Sequence, residues 1–453
     1  MVGRRTSPQA LQVARDEVGV CDARSIQCVR ARCGKKKLTV AEPLALAHDR
    51  GAAAATGPLQ PGKSPAVVAW NGWRGSARDG KVPWLPPKLS AKPSIIWRRG
   101  LRVRGLGGVA ATPEQVIVSD RELSDKADAW RCLDAKNGAD LWTDLVPCAG
   151  RLDFGNSPRA TPLIDGEFVY LAGAFGQLQC VKRADGDTVW TVDLKEEFKP
   201  QAELPWGYCA SPLLIDGKLI VNPGAADASI VALDAKTGRV VWKTPGGPPG
   251  YGSFLAARLG GRLQVVGHDS QSLGGWDVVT GRRLWQIPMG ISREFGVPTP
   301  IVVGDRLVVS SENQGTRLYG FRPDGKIDPH PLAINPDLAP DCHTPVAVGE
   351  RLFGVWNGLY CLDLKNGLKT RWRIDNDAFA GYASIIASSD RLLVTAIDGA
   401  VVLVDSTGDK PRIAGQWKVF EDDHGVYSHP AVVGTRLYLR GSAEIVCIDL
   451  LGQ

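Results

Sequence analysis

The sequence predicts an all-β fold, an eight-bladed β-propeller of four-stranded antiparallel blades, and three observations carry that prediction. The first is a turn that closes on glycine and leads into a tryptophan. LDAKNGADLW ends at Trp142, ALDAKTGRVVW at Trp242 and WDVVTGRRLW at Trp285, with looser copies ending at Trp190 and Trp372. The turn glycines fall at Gly138, Gly186, Gly238, Gly281, Gly325, Gly367 and Gly408, so the interval stays between 41 and 52 residues, a repeat-protein period. The second is the content of a unit. SPLLIDGKLIVNPG followed by SIVALDAKTGRVVWKT reads as four short apolar runs broken by turns, with no helical periodicity between them. The third is that the two ends of the chain are incomplete in complementary ways. The last unit, HPAVVGTRLYLRGSAEIVCIDL, supplies three strands, and PSIIWRRGL with Trp97 supplies an outer strand that no turn precedes.

Taken in order, the first halves of the units begin near Ala110, Ala160, Ala210, Ser253, Pro298, Thr344, Ser384 and His429, which makes eight. A lone four-stranded sheet exposes two faces and two edges, and radial stacking buries the faces and leaves short, protected edges. The repeated tryptophans sit on the fourth, outer strand, where blades diverge, so they are expected to pack between blades and not to stack on a ligand. Ser94 to Gly100 is expected to pair with Glu444 to Leu450, so that the N-terminal strand joins the last blade and closes the ring. Cys132, Cys180, Cys361 and Cys447 share one place in the third strand, where other units carry Ala232, Gly275, Gly320 and Leu403. A place that takes Cys, Ala and Gly interchangeably is a tight packing position.

Residues 66–453 are thus assigned to the propeller, and residues 1–65 to a disordered or non-native extension, rich in Arg, Lys and Ala, with no strand pattern. Its best apolar run is LALA at Leu44 to Ala47, too short for the core of a secretory signal. Cys21, Cys28 and Cys33 lack the paired spacing of a structural zinc site, and no metal ligands are assigned. A disulfide involving Cys148 or Cys209 stays open. Across 453 residues, 52 Gly and 31 Pro suit a chain with many turns, and the net charge of +6 is dispersed among acidic residues. No nucleic-acid motif and no apolar stretch long enough to span a membrane occur, and a monomer is expected.

The repeat resembles that of the pyrroloquinoline-quinone (PQQ) type propellers, whose unit pairs an Asp-Ala-x-x-Gly turn with a following tryptophan. The likeness runs from about Trp70 to Leu450. WNGWRGSARDG at Trp70 to Gly80, GNSPRATP at Gly155 to Pro162 and WGYCASP at Trp206 to Pro212 are similar to a bacterial group within it. The resemblance implies either of two activities, a quinoprotein alcohol or sugar dehydrogenase, or a propeller lipoprotein of the outer-membrane barrel-assembly machinery that binds protein and no quinone. It also implies a periplasmic or exported protein, in conflict with the N-terminus as written. Either the chain stays in the cytoplasm or its true N-terminus differs.

Residues just before each Ser/Thr/His-Pro step crowd one mouth of the central channel. The candidate ligand-binding set there is Asn156, Arg159, Trp206, Tyr208, Tyr251, Arg293, His343, Tyr382 and His429, with Cys209 and Tyr427 beside them. Guanidinium groups and imidazoles converging from different units would suit an anionic or hydrogen-bonding ligand. A PQQ dehydrogenase holds its quinone with calcium and, in many members, under a Cys-Cys disulfide. The sequence has no Cys-Cys pair, no heme-attachment Cys-x-x-Cys-His and no Asp/Glu/Asn cluster on the pore strands. The expectation is therefore a non-catalytic module, with no catalytic residue assigned, that binds a protein or an anionic or polymeric ligand. The alternative is a PQQ-dependent, calcium-containing oxidoreductase working in the same pore. A hydrolase or lyase built on the channel histidines is a third, for which no nucleophile-base spacing is found.

Overall fold

The structure, a computed structural model, describes residues 66–290, 295–420 and 425–452. The extension assigned to residues 1–65 lies outside them. The described chain forms eight four-stranded antiparallel sheets, the blades of one propeller. Blades one to seven each take four strands in sequence order, from Ala110–Ala111 through Asp140–Pro147 in blade one to Ala383–Ala387 through Arg412–Lys418 in blade seven. Blade eight takes Ala431–Val433, Arg436–Arg440 and Glu444–Asp449 and then borrows Ser94–Gly100 as its outer strand. Ser94 pairs with Asp449 and Gly100 with Glu444, so the ring closes as the sequence predicts and no blade is left with a missing edge. First strands of neighbouring blades touch around the axis.

The repeated turn is a lock between blades. In Asp-Ala-Lys-Thr-Gly of blade three, Asp234 Oδ1 accepts from the backbone N–H of Lys236 and Thr237 at 3.1 and 2.9 Å. The turn ends on Gly238 at φ 69°, a conformation that disfavours a side chain. The missing Cβ makes room for Trp190 of blade two, whose ring would lie 2.8 Å from it. The Trp190 indole N–H then donates to Ala235 O at 3.0 Å in the same turn. Trp97 on Gly138, Trp142 on Gly186 and Trp242 on Gly281 repeat the arrangement, so the junction between the last and first blades is locked like the others.

The small third-strand residue has a cause as well. Cys132, Cys180, Ala232, Gly275, Cys361 and Cys447 pair directly across from Trp142, Trp190, Trp242, Trp285, Trp372 and Trp97. Blade seven inverts the fit, with Leu403 opposite Gly415. The seven cysteines of the described residues are free, Cys148 and Cys209 included, so neither forms the disulfide left open above.

The segment before the first strand has a separate role. Trp70 pairs with Ala111 of blade one, Asn71 O accepts from Ile164 of blade two, and Arg78 donates to Ser211 O and Pro212 O of blade three. Arg74 donates to Pro345 O of blade six at 2.8 Å, and Gly80 and Val82 pair with Ala387 of blade seven. Blades three and seven stand opposite each other in a ring of eight, so a segment bonded to the Ser211-Pro212 step of one and to the end of the first strand of the other crosses the axis. It plugs the channel.

Candidate functional site

The Ser/Thr-Pro steps that mark each first strand form a belt around the channel, and the plug's arginines end on it at Ser211 O, Pro212 O and Pro345 O. The backbone N–H of Thr161 donates to Ser211 Oγ, Ser211 to Ser253 Oγ, Ser253 to Thr299 Oγ1 and Thr299 to Thr344 Oγ1, at 2.9, 3.0, 2.9 and 3.0 Å. Each hydroxyl thus satisfies the N–H of the preceding blade, a buried donor that would otherwise lack a partner. The belt fixes where the residues just before each step emerge.

They emerge into a cavity of about 600 Å³. Of the predicted set, Arg159, Trp206, Tyr251, His343 and Tyr382 line it, together with Cys209 and Tyr427. Three predicted residues do not. Asn156 braces its own loop, accepting from Leu152 N–H and donating to Gly150 O and Asp125 Oδ2. Tyr208 is buried in the core beside Gly176 and donates to Pro223 O at 3.1 Å. His429 stacks on Trp70, with ring centroids 5.7 Å apart. Arg293 lies outside the described residues.

The lining also contains Asp153, Phe154, Asp341, Cys342, Trp356 and Asn357, which the reading of the Pro steps missed. Asp341 and Cys342 directly precede His343 and were open to the same reasoning. Trp356 and Asn357 belong to the turn between the second and third strands of blade six. Antiparallel strands bring every such turn back to the end where the first strand began, so this hairpin also faces the mouth.

Aromatic rings dominate the rim. Trp206 lies 4.6 Å from Tyr251 and 4.9 Å from Phe295, and Tyr382 packs 5.4 Å from Tyr427 and edge-on to His343 at 6.5 Å. The polar groups of the wall are largely committed. Arg159 donates from its terminal nitrogens to Asp153 O, Gly155 O and Ser157 O, and burial lowers its pKa. His343 Nε2 accepts from Val355 N–H at 2.9 Å, while burial, with the Arg74 charge adding to it, pulls its pKa down to about 3. His343 is therefore neutral at physiological pH, with its proton on Nδ1, which has no partner among the described residues. Burial pushes the Tyr251 and Tyr382 hydroxyls and the Cys209 thiol up to about 12. None of these is poised as a nucleophile or base near neutrality. In the plug, burial lowers Arg74 to about 10 and Arg78 to about 9, and both stay charged.

The family described as outer membrane protein assembly factor BamB matches residues 125–373. The protein of that name from Shewanella oneidensis is 24% identical over 350 residues, covering 64% of this chain and 85% of that protein. The crystal structure of BamB from Moraxella catarrhalis superposes with a TM-score of 0.52 at 17% identity, covering 78% of this chain and 96% of that one. That of quinohemoprotein alcohol dehydrogenase from Comamonas testosteroni gives 0.60 at 12% identity, covering 85% and 81%. At such identities the structural likenesses carry the fold alone.

The dehydrogenase likeness raises the question of PQQ and calcium. Calcium asks for six to eight oxygen ligands, several of them carboxylates. Among the described residues no three His, Cys, Asp or Glu side chains gather as a ligand set. Arg74 instead lies close enough to His343, Tyr382 and His429 to shift their titration, placing a positive charge beneath the cavity. The described residues do not fit a calcium-bound quinone.

Proposed function

The chain belongs to the PQQ-like repeat family of outer membrane protein assembly factor BamB, and from that premise we propose that it is a non-catalytic binding module that takes a segment of a protein partner into its axial funnel. The observation that carries this reading is the funnel itself. It is about 600 Å³, rimmed by Phe154, Trp206, Tyr251, Trp356, Tyr382 and Tyr427, and backed by the chain's own Trp70 to Lys81 segment. Half-exposed aromatic rings around one concavity are the composition of a recognition surface, and their large rigid faces lose little entropy on contact. Among the described lining residues, Arg159 and His343 are committed to backbone partners and the thiol and hydroxyl pKa values are high, which supports binding over turnover. The partner is taken to be a component of an outer-membrane protein assembly apparatus, and the protein to be exported to the periplasm.

The test is photo-crosslinking in the cells that make the protein. A photoreactive residue replaces Phe154 or Trp356 at the mouth, or Val240 on an outer strand. A discrete protein adduct from the mouth positions and none from Val240 is expected. Adducts confined to Val240 would move the binding surface to the blade edges. Calcium-dependent oxidation of an alcohol or sugar by the pure chain supplied with PQQ would overturn the non-catalytic half of the proposal.

A further inference from the structure

Taking the mouth as a protein-binding site, we propose that its rim is a cation cage. Trp206, Tyr251 and Phe295, with Asp153 and Asp341, receive a lysine or arginine side chain of the bound segment.

The three rings meet at angles. Trp206 and Tyr251 are inclined at 49°, Trp206 and Phe295 at 59°, and Tyr251 and Phe295 at 56° with centroids 6.4 Å apart. Rings so close and so inclined pack on one another as one tilted cluster and not as a parallel stack. Phe295 is 41% exposed, and Trp206 and Tyr251 are half-buried. The electron-rich face of an aromatic ring attracts a cation, most strongly for tryptophan.

The charges agree with the rings. Asp153 and Asp341 both line the cavity, and among the described residues neither joins an ion pair. Asp153 acts on the Tyr251 hydroxyl, and Asp341 and Glu312 flank Trp206 and Phe295 in an adjoining cleft. Arg159 is the one basic side chain among the described lining residues besides the neutral His343, and its terminal nitrogens are turned to loop carbonyls. Among the described residues, a carboxylate or phosphate entering here would meet two aspartates with no ion-pair partner and no guanidinium free to receive it. Among the described residues the rim charge therefore favours a cation, whereas the sequence led us to expect an anion site that also draws on Arg293.

The floor supplies an independent observation. His343 lines the cavity, is 4% exposed, and holds a buried Nδ1–H that has no acceptor among the described residues. An unmet buried donor is costly, and a ligand carbonyl would satisfy it. A cation held at the rim and a carbonyl held at the floor are two features of one polypeptide segment, which favours a basic peptide over a free amine.

Dye-labelled heptalysine, fully acetylated heptalysine and heptaglutamate can be titrated with the full chain and followed by fluorescence anisotropy. The chain carries a net charge of +6, so its overall field opposes heptalysine and cannot by itself bring it in. Heptalysine is expected to bind and its acetylated form to bind at least about tenfold more weakly, since acetylation removes the cation–π and ion-pair donor. Asp153→Asn with Asp341→Asn should weaken heptalysine by roughly tenfold. Phe295→Leu, which keeps apolar bulk and loses the π-face, should weaken it by roughly three- to tenfold. Thermal unfolding of each variant controls for misfolding. Absent heptalysine binding, equal binding of the acetylated peptide, or variants that bind like the parent would each overturn the cage. So would heptaglutamate binding that is lost in Arg159→Gln. Mouth crosslinks in cells alongside a failed heptalysine titration would remove the cage and leave the protein-binding reading in place. Missing crosslinks would remove that reading instead.

Discussion

The indole of Trp242, on the outer strand of blade three, lies over Gly281 of blade four, where a Cβ would come within 2.4 Å of the ring. The same indole donates its N–H to Val278 O at 3.0 Å, so one side chain both fills and ties the junction. Glycine at position 281 is needed twice, for its φ of 70° and for the space above it.

Gly281→Ala should therefore cost more than backbone strain. Gly217 supplies the control, since its φ is 68° but nothing lies within 4 Å of a Cβ built there. Gly217→Ala is expected to lose about 1–2 kcal/mol from the left-handed conformation alone. Gly281→Ala should lose that plus about 1–3 kcal/mol of overpacking against Trp242. Equal urea midpoints for the two variants would show that the ring yields without cost.

Trp242→Ala tests the other half of the contact. It removes a 7%-exposed side chain that the surrounding turn cannot collapse onto, and should cost about 3–5 kcal/mol. Denaturant unfolding measures it. A midpoint that stayed put while ligand binding at the mouth fell would return this tryptophan to a stacking role.

The period, the blade count and the closing strand were legible in the sequence because they rest on local patterns: a turn of fixed chemistry, two-residue alternation and an orphan Trp97. The exceptions show where local pattern gives out. Blade five has a turn at Gly325 but no following tryptophan to lie over Gly367 of blade six, where a Cβ would meet nothing within 4 Å. At the junction of blades four and five, Gln264 relays the Trp285 contact. It accepts from the Trp285 indole at 2.6 Å and donates to Gly325 O at 2.8 Å. At the mouth, Cys209 lines the cavity while its neighbour Tyr208 is buried. Adjacent side chains of extended chain point opposite ways, and a list of residues near a Pro step does not say which way each points. The plug was illegible for a different reason. Arg74 and Pro345 are separated by 271 residues, and nothing in WNGWRGSARDG names its acceptors.

Ring closure predicts a contrast between two truncations. A chain beginning at Ala66 keeps every described strand and the plug, and its thermal transition should match that of the full chain. A chain beginning at Arg102 lacks Ser94–Gly100, leaving Glu444–Asp449 as an open edge and the Gly138 turn without Trp97. It should unfold or aggregate. Light scattering and calorimetry distinguish the cases, and two truncations of equal stability would mean that the ring does not depend on its last strand.

Buried histidines make acid the weak side of this fold. Burial lowers His268 to about 4 and His343 and His429 to about 3, against an ordinary value of 6.5. In the window between those values the unfolded chain binds protons that the folded chain refuses, so stability is full above about 6.5 and falls as the pH drops. Each histidine contributes up to about 1.4 kcal/mol per pH unit in that window. Asp128 acts against them. Burial raises it to about 6, the folded state binds its proton first, and its contribution grows as the pH falls from about 6 toward 3.8. The parent curve is thus a sum of opposing slopes, and a variant isolates one. His268 suits the purpose because both ring nitrogens are buried without partners among the described residues, so His268→Leu sacrifices no hydrogen bond there. Asp269 raises and Arg317 lowers its titration, and both remain in the variant. Urea unfolding of parent and His268→Leu at a series of pH values from about 7 to 4.5 should give curves that diverge as the pH falls below the ordinary histidine value. The variant should become relatively more stable by up to about 1.4 kcal/mol per unit. Curves that stay parallel would mean that His268 is protonated as readily in the folded protein as in the unfolded chain, and that its burial carries no linkage.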